Sequence, residues 1–125
     1  MSIDFAGLSA IAAEVVESTL ERLPPGLREE AAHLPVSLEP RPSPEMEEDG
    51  LEPDILGLFV GESFDTAGET TDPLPGQILL FLENIWEFAE RDEDIFREEV
   101  AITLLHEIGH YFGWDEEDLY ERGLE

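Results

Sequence analysis

Between residues 4 and 23, apolar side chains return every three or four positions: Leu8, Ile11, Ala12, Val15, Val16, Leu20 and Leu23. That spacing predicts an amphipathic helix, closed by Pro24-Pro25-Gly26. A short helical turn is expected through Leu27 to Ala32. Leu34, Val36 and Leu38 then alternate with Pro35, Ser37 and Glu39, as in a half-buried strand, and Pro35 suggests a sheet edge. Residues 40–54, rich in Pro, Glu and Asp, read as an exposed loop. The apolar runs Ile55 to Val60 and Gln77 to Leu82 predict two more strands, the second central and buried on both faces. Residues 61–76, with their Gly and Pro, predict a long loop between them. Residues 84–90 are expected to start a short helix with Trp86 and Phe88 packing inward.

The strongest helical pattern follows, from Asp92 to Phe112. Asp92, Glu93 and Asp94 sit where acids favour a helix N-terminus, and Gly113 supplies the left-handed residue that closes many helices. A last helix is expected from Glu116 to Arg122. These elements predict an α+β fold in one domain over residues 1–125. A small mixed sheet packs against the N-terminal helix and the long helix near the C-terminus.

Charge narrows the possible partners. The chain carries 32 acidic residues against 6 basic ones, a formal net charge of -26, and every basic residue is an arginine. Such a surface repels phosphate backbones and anionic membranes, so neither nucleic acid nor a membrane is expected as partner. It favours divalent cations and basic or neutral peptides over acidic ones. Residues 1–5 have neither a basic start nor an apolar core of signal-peptide length, so a cytoplasmic location is expected. There is no cysteine, so any zinc has to be held by His, Asp or Glu.

The run His106-Glu107-Ile108-Gly109-His110 lies on the longest predicted helix. Each helical residue turns about 100 degrees, which puts His110 about 40 degrees from His106 and one turn along. Two imidazoles so placed can meet one metal ion. Glu107 lies about 100 degrees round, beside that ion, where a carboxylate can take a proton from an attacking water. Glu99 and Thr103 fall on the histidine stripe. Ala101, Leu104, Leu105, Ile108, Tyr111 and Phe112 cluster on the opposite side, so one face reads as core and the other as a site. A third protein ligand is expected, with a further position left to water. Gly113 turns the chain back, which makes Asp115 and Glu116 the candidates. Asp115 is well placed to cap the last helix. Glu116 is therefore the preferred metal ligand, with Asp115 the alternative. His33, the remaining histidine, reads as structural or surface. Tyr111 reads as core, and Tyr120 is a candidate for steadying an oxyanion.

His106, Glu107, His110, Gly113 and Glu116 together resemble the signature of the zincins. The likeness is specifically to the minimal zincin family of small bacterial zinc metallopeptidase-like proteins. Metzincins share the spacing but carry histidine at the position of Glu116 and a methionine turn further on. Here the two methionines, Met1 and Met46, both precede the motif. The resemblance implies a zincin-like domain, a Zn2+ cofactor and a zinc-dependent peptidase acting on peptides or unfolded protein, with Glu107 as general base. An edge strand beside the helix is expected to pair with an extended substrate, Ile55 to Val60 first and Leu34 to Glu39 as alternative. Two other readings stay open: a non-catalytic zinc-binding or interaction module on the same fold, and a zinc hydrolase of a non-peptide amide.

Overall fold

The computed structural model describes residues 3–60 and 76–112. Helix α1 spans Phe5–Glu21, and its N-cap Asp4 accepts the Gly7 N–H at 2.9 Å. Helix α2, Pro25–Ala31, begins on a proline, whose missing N–H is no loss in a first turn. Strand β1 is Val36–Glu39, helix α3 Pro44–Glu48, strand β2 Gly57–Val60 and strand β3 Gln77–Phe81. Helix α4, Leu82–Phe88, follows β3 directly. Helix α5, Glu93–Tyr111, is capped by Asp92, whose side chain accepts the Ile95 N–H at 3.0 Å.

The sheet has the order β1-β3-β2, with β1 parallel and β2 antiparallel to β3. It is the small mixed sheet that the patterning predicts. Ile78, Leu79, Leu80 and Phe81 of β3 are all buried, as a central strand requires. Both edge strands are half-buried. Helix α5 packs on β2, β3, α4 and α1. Its residues Phe96, Val100, Leu104 and Ile108 join Leu8 and Ala12 of α1 and Ile78 and Leu80 of β3 in one core. Each large side chain withdrawn from water in this way contributes about 1.5–3 kcal/mol. Trp86 meets Phe96 edge to face, with ring centroids 5.6 Å apart, which ties α4 to α5.

Some expectations are corrected. Residues 40–54 contain a helical turn, α3, where a plain loop is expected. Its start signal is local: the Ser43 hydroxyl accepts the Met46 N–H at 3.2 Å, Pro44 opens the turn, and Glu45 and Glu47 stand at its positive end. No residue of α3 is buried, and most of the stretch is exposed as expected, but Pro42 is buried. Trp86 packs inward, but Phe88 is 60% exposed. Two positions apart on a helix means about 200 degrees of rotation, so both rings cannot face the core. The Ile55 to Val60 run is strand only from Gly57 onward. Of the loop predicted over 61–76 only Gly76 is described, and residues 61–75 and the last helix predicted over 116–122 lie outside the described residues. Among the described residues no helix is long and apolar enough to cross a membrane.

Asn84 fixes the approach to β2. It is the only asparagine in the chain and is buried on α4. Its amide nitrogen donates to the carbonyls of Pro53 at 2.8 Å and Ile55 at 2.9 Å. One residue on, the Leu56 carbonyl accepts the Phe81 N–H at 2.9 Å. The segment entering β2 is thus held from α4 and from β3. Asn84→Ala is expected to cost about 1–3 kcal/mol, measured as a lower urea midpoint at unchanged slope. An unchanged midpoint would show that the two carbonyls are equally well served by water.

Candidate functional site

The apolar face of α5 sets what its other face presents. With Leu104 and Ile108 in the core, His106 is half-buried and His110 exposed at the surface of the same helix. Their ring centroids lie 4.7 Å apart, with the planes at 75°. Glu107 sits between them in sequence, and its Oε2 is 4.0 Å from His110 Nε2. One ligand atom from each of the three residues falls within 4.8 Å of the others. Two imidazoles on one helix face, with a carboxylate beside them and no thiolate in the chain, are donors that suit zinc. The residues present therefore fit a metal ion.

These side chains line a cleft of about 390 Å³, together with Glu99, Ile102 and Thr103 of α5 and Ile55, Leu56 and Gly57 on the opposite wall. Glu99 and Thr103 thus stand in the same cleft as the histidines, as the helical stripe predicts. Thr103 is nevertheless buried, because β2 crosses close above it. Gly57 permits that approach: a Cβ added there would lie 2.6 Å from Thr103 Cγ2, 3.2 Å from the Leu79 carbonyl oxygen and 3.4 Å from Glu107 Cγ. Further along β2, the Phe59 ring meets Tyr111 edge to face at 5.7 Å. Tyr111 also packs on Phe112 and belongs to the core margin, as predicted.

Glu107 is the one buried carboxylate among the described residues. Burial pushes its carboxyl above the ordinary value, while charge on His106 and a hydrogen bond from the Phe59 backbone pull the other way; burial dominates. A carboxylate whose proton affinity is raised by burial is better suited to taking up a proton than one in free solvent.

The family described as zincin-like metallopeptidase matches residues 31–124, which is most of the chain. The chain belongs to the zincin-like metallopeptidase family. No curated protein matches it significantly. The zincin-like match spans the whole sheet, α3, α4 and α5, whereas α1 precedes it.

The other predicted site residues divide simply. His33 is exposed in the turn between α2 and β1, in keeping with a surface role. Asp115, Glu116, Gly113 and Tyr120 lie outside the described residues. Sequence reasoning placed the Ile55 to Val60 run beside the site helix, and the start of that run forms the opposite wall. It missed the close approach at Gly57, and it missed Ile102. Ile102 did leave a signal, an apolar residue about 40 degrees from His106 on the polar stripe. Gly57 left a weaker one, a lone glycine inside an apolar strand run.

The tight crossing of β2 over α5 gives a direct test. Gly57→Ala is expected to destabilise the protein by about 1–3 kcal/mol through overpacking on Thr103 and the Leu79 backbone. The double variant Gly57→Ala/Thr103→Ser, which removes the Cγ2 methyl, should recover part of that loss in a urea titration. No recovery would locate the strain at the Leu79 carbonyl instead.

Proposed function

We propose that the protein is a zinc-dependent metallopeptidase in which His106 and His110 hold the metal, Glu116 completes its protein ligands and Glu107 is the general base. The observation that carries this reading is the grouping of His106, Glu107 and His110 donor atoms within 4.8 Å in an open cleft. Zinc held there supplies a Lewis acid that makes hydroxide available near neutral pH and polarises a carbonyl. Glu107 takes the proton from the attacking water and passes it to the leaving amine. Burial under Gly57 and the bond from the Phe59 backbone keep its carboxylate oriented toward the cleft rather than free in solvent. The β2 strand, which lies at the sheet edge beside α5, offers the first place for an extended peptide to align. A net charge of -26 favours neutral or basic peptides as substrates.

Metal content tests the ligand set. Protein purified without chelator is expected to carry about one zinc per chain, and His106→Ala or His110→Ala should lower zinc affinity sharply. Glu116→Ala should weaken zinc binding far more than Asp115→Ala, which should instead cost about 1 kcal/mol as a lost helix cap. The reverse order in a zinc titration makes Asp115 the ligand. Less than about a tenth of an ion per chain, with no uptake on adding zinc, sinks the metal site.

Catalysis is tested separately. Glu107→Gln keeps the size of the side chain and removes the base. It is expected to leave zinc content and fold intact while cutting peptide hydrolysis by about 10²- to 10⁴-fold. Equal slow cleavage by both proteins points to a contaminating protease. Absence of cleavage across a library of neutral and basic peptides by the zinc-loaded protein assigns it instead to non-catalytic zinc binding.

A further inference from the structure

Ile102 stands on the wrong side of α5 for a core residue. It is 44% exposed, one turn before His106, and it lines the metal cleft. The core takes its α5 contacts from Phe96, Val100, Leu104 and Ile108 and makes no use of it. Ile55 and Leu56 contribute apolar surface to the opposite wall of the same cleft. That wall is pinned by Asn84 through the Ile55 carbonyl and by Phe81 through the Leu56 carbonyl. An exposed aliphatic side chain facing a held apolar wall has area to bury against a ligand. Glu99, also in the cleft, sets the electrostatics: with Glu107 nearby, an anionic side chain is repelled.

We propose that Ile102, Ile55 and Leu56 form an apolar subsite that takes one large, uncharged side chain of a bound peptide and sets sequence preference. It rests on the reading of His106 and His110 as metal ligands. Filling such a pocket by a few methylene groups discriminates by about 10-fold or more. Discrimination therefore follows side-chain size and is lost when Ile102 is shortened. Because Ile102 is exposed, Ile102→Ser leaves the core untouched.

The test uses N-acyl amino-acid hydroxamates, which chelate zinc and are not cleaved, carrying Leu, Phe, Ala or Asp side chains. Each is titrated calorimetrically into zinc-loaded wild type and Ile102→Ser. In the wild type, the Leu and Phe compounds are expected to bind about 10-fold or more tighter than the Ala compound, with Asp weakest. In Ile102→Ser, zinc content and affinity for the Ala compound should hold while the Leu preference falls to within about twofold. Equal binding of the Leu and Ala compounds by the wild type overturns the subsite and leaves the metal centre standing. A Leu preference unchanged in Ile102→Ser also overturns the subsite. Binding of none of the compounds overturns the metal centre, and the subsite with it.

Discussion

Phe96, Val100, Leu104 and Ile108 pack the apolar face of α5 against the sheet, α4 and α1, each at no more than 1% exposure. A helix is stiff over this length, so fixing one face fixes the azimuth of the other. The position of His106 and His110 is therefore a consequence of core packing elsewhere on the same helix. The cap at Asp92 and the Trp86–Phe96 contact set where the helix starts and how it lies. Between α4 and α5 the chain turns through Glu90 and Arg91, both left-handed at φ 58° and 61°. Non-glycine residues adopt that conformation at some cost, borne here by the contacts on either side of the turn.

The second determinant is how near β2 comes to α5. Without a side chain at Gly57 the strand lies directly over Thr103 and Glu107. That contact buries the Glu107 carboxylate while leaving His110 in the open. One helical turn thus presents three ionisable groups in three different environments. Two of them suit metal binding, which needs access, and one suits proton transfer, which gains from partial desolvation. Among the described residues the cleft is lined by α5 on one side and by Ile55, Leu56 and Gly57 on the other, with Ile102 exposed within it.

Membership of the zincin-like metallopeptidase family covers residues 31–124, and α1 lies before that span. Leu8 and Ala12 of α1 nonetheless belong to the core that holds α5. The first helix is thus a structural support for the site helix, with no residue in the cleft. The acidic surface adds little cohesion. The ion pairs that Arg41, Arg91 and Arg97 make with Glu83, Glu87, Glu93 and Glu14 are all solvent-exposed, where screening leaves them weak.

Much of this was legible in the chain because it is encoded by short-range periodicity. The three- and four-residue spacing of α1 and α5, the apolar run of β3 and the pairing of His106 with His110 depend only on neighbours within a turn or two. Family membership was equally readable from His106, Glu107, His110, Gly113 and Glu116. Tertiary structure decided what depends on residues far apart in sequence. The parallel pairing of β1 with β3 joins residues about forty positions apart. The burial of Thr103 and Glu107 follows from Gly57, some fifty positions earlier, and no local pattern reports it. Phe88 was misjudged because an aromatic residue signals burial only if the helix phase is known, and Trp86 had already claimed the inward face. Asn84 and Ile102 stand out for the same reason. Local rules mark an asparagine in an apolar run and an isoleucine on a polar stripe as exceptions, and only the assembled fold supplies the carbonyls and the cleft wall that they meet.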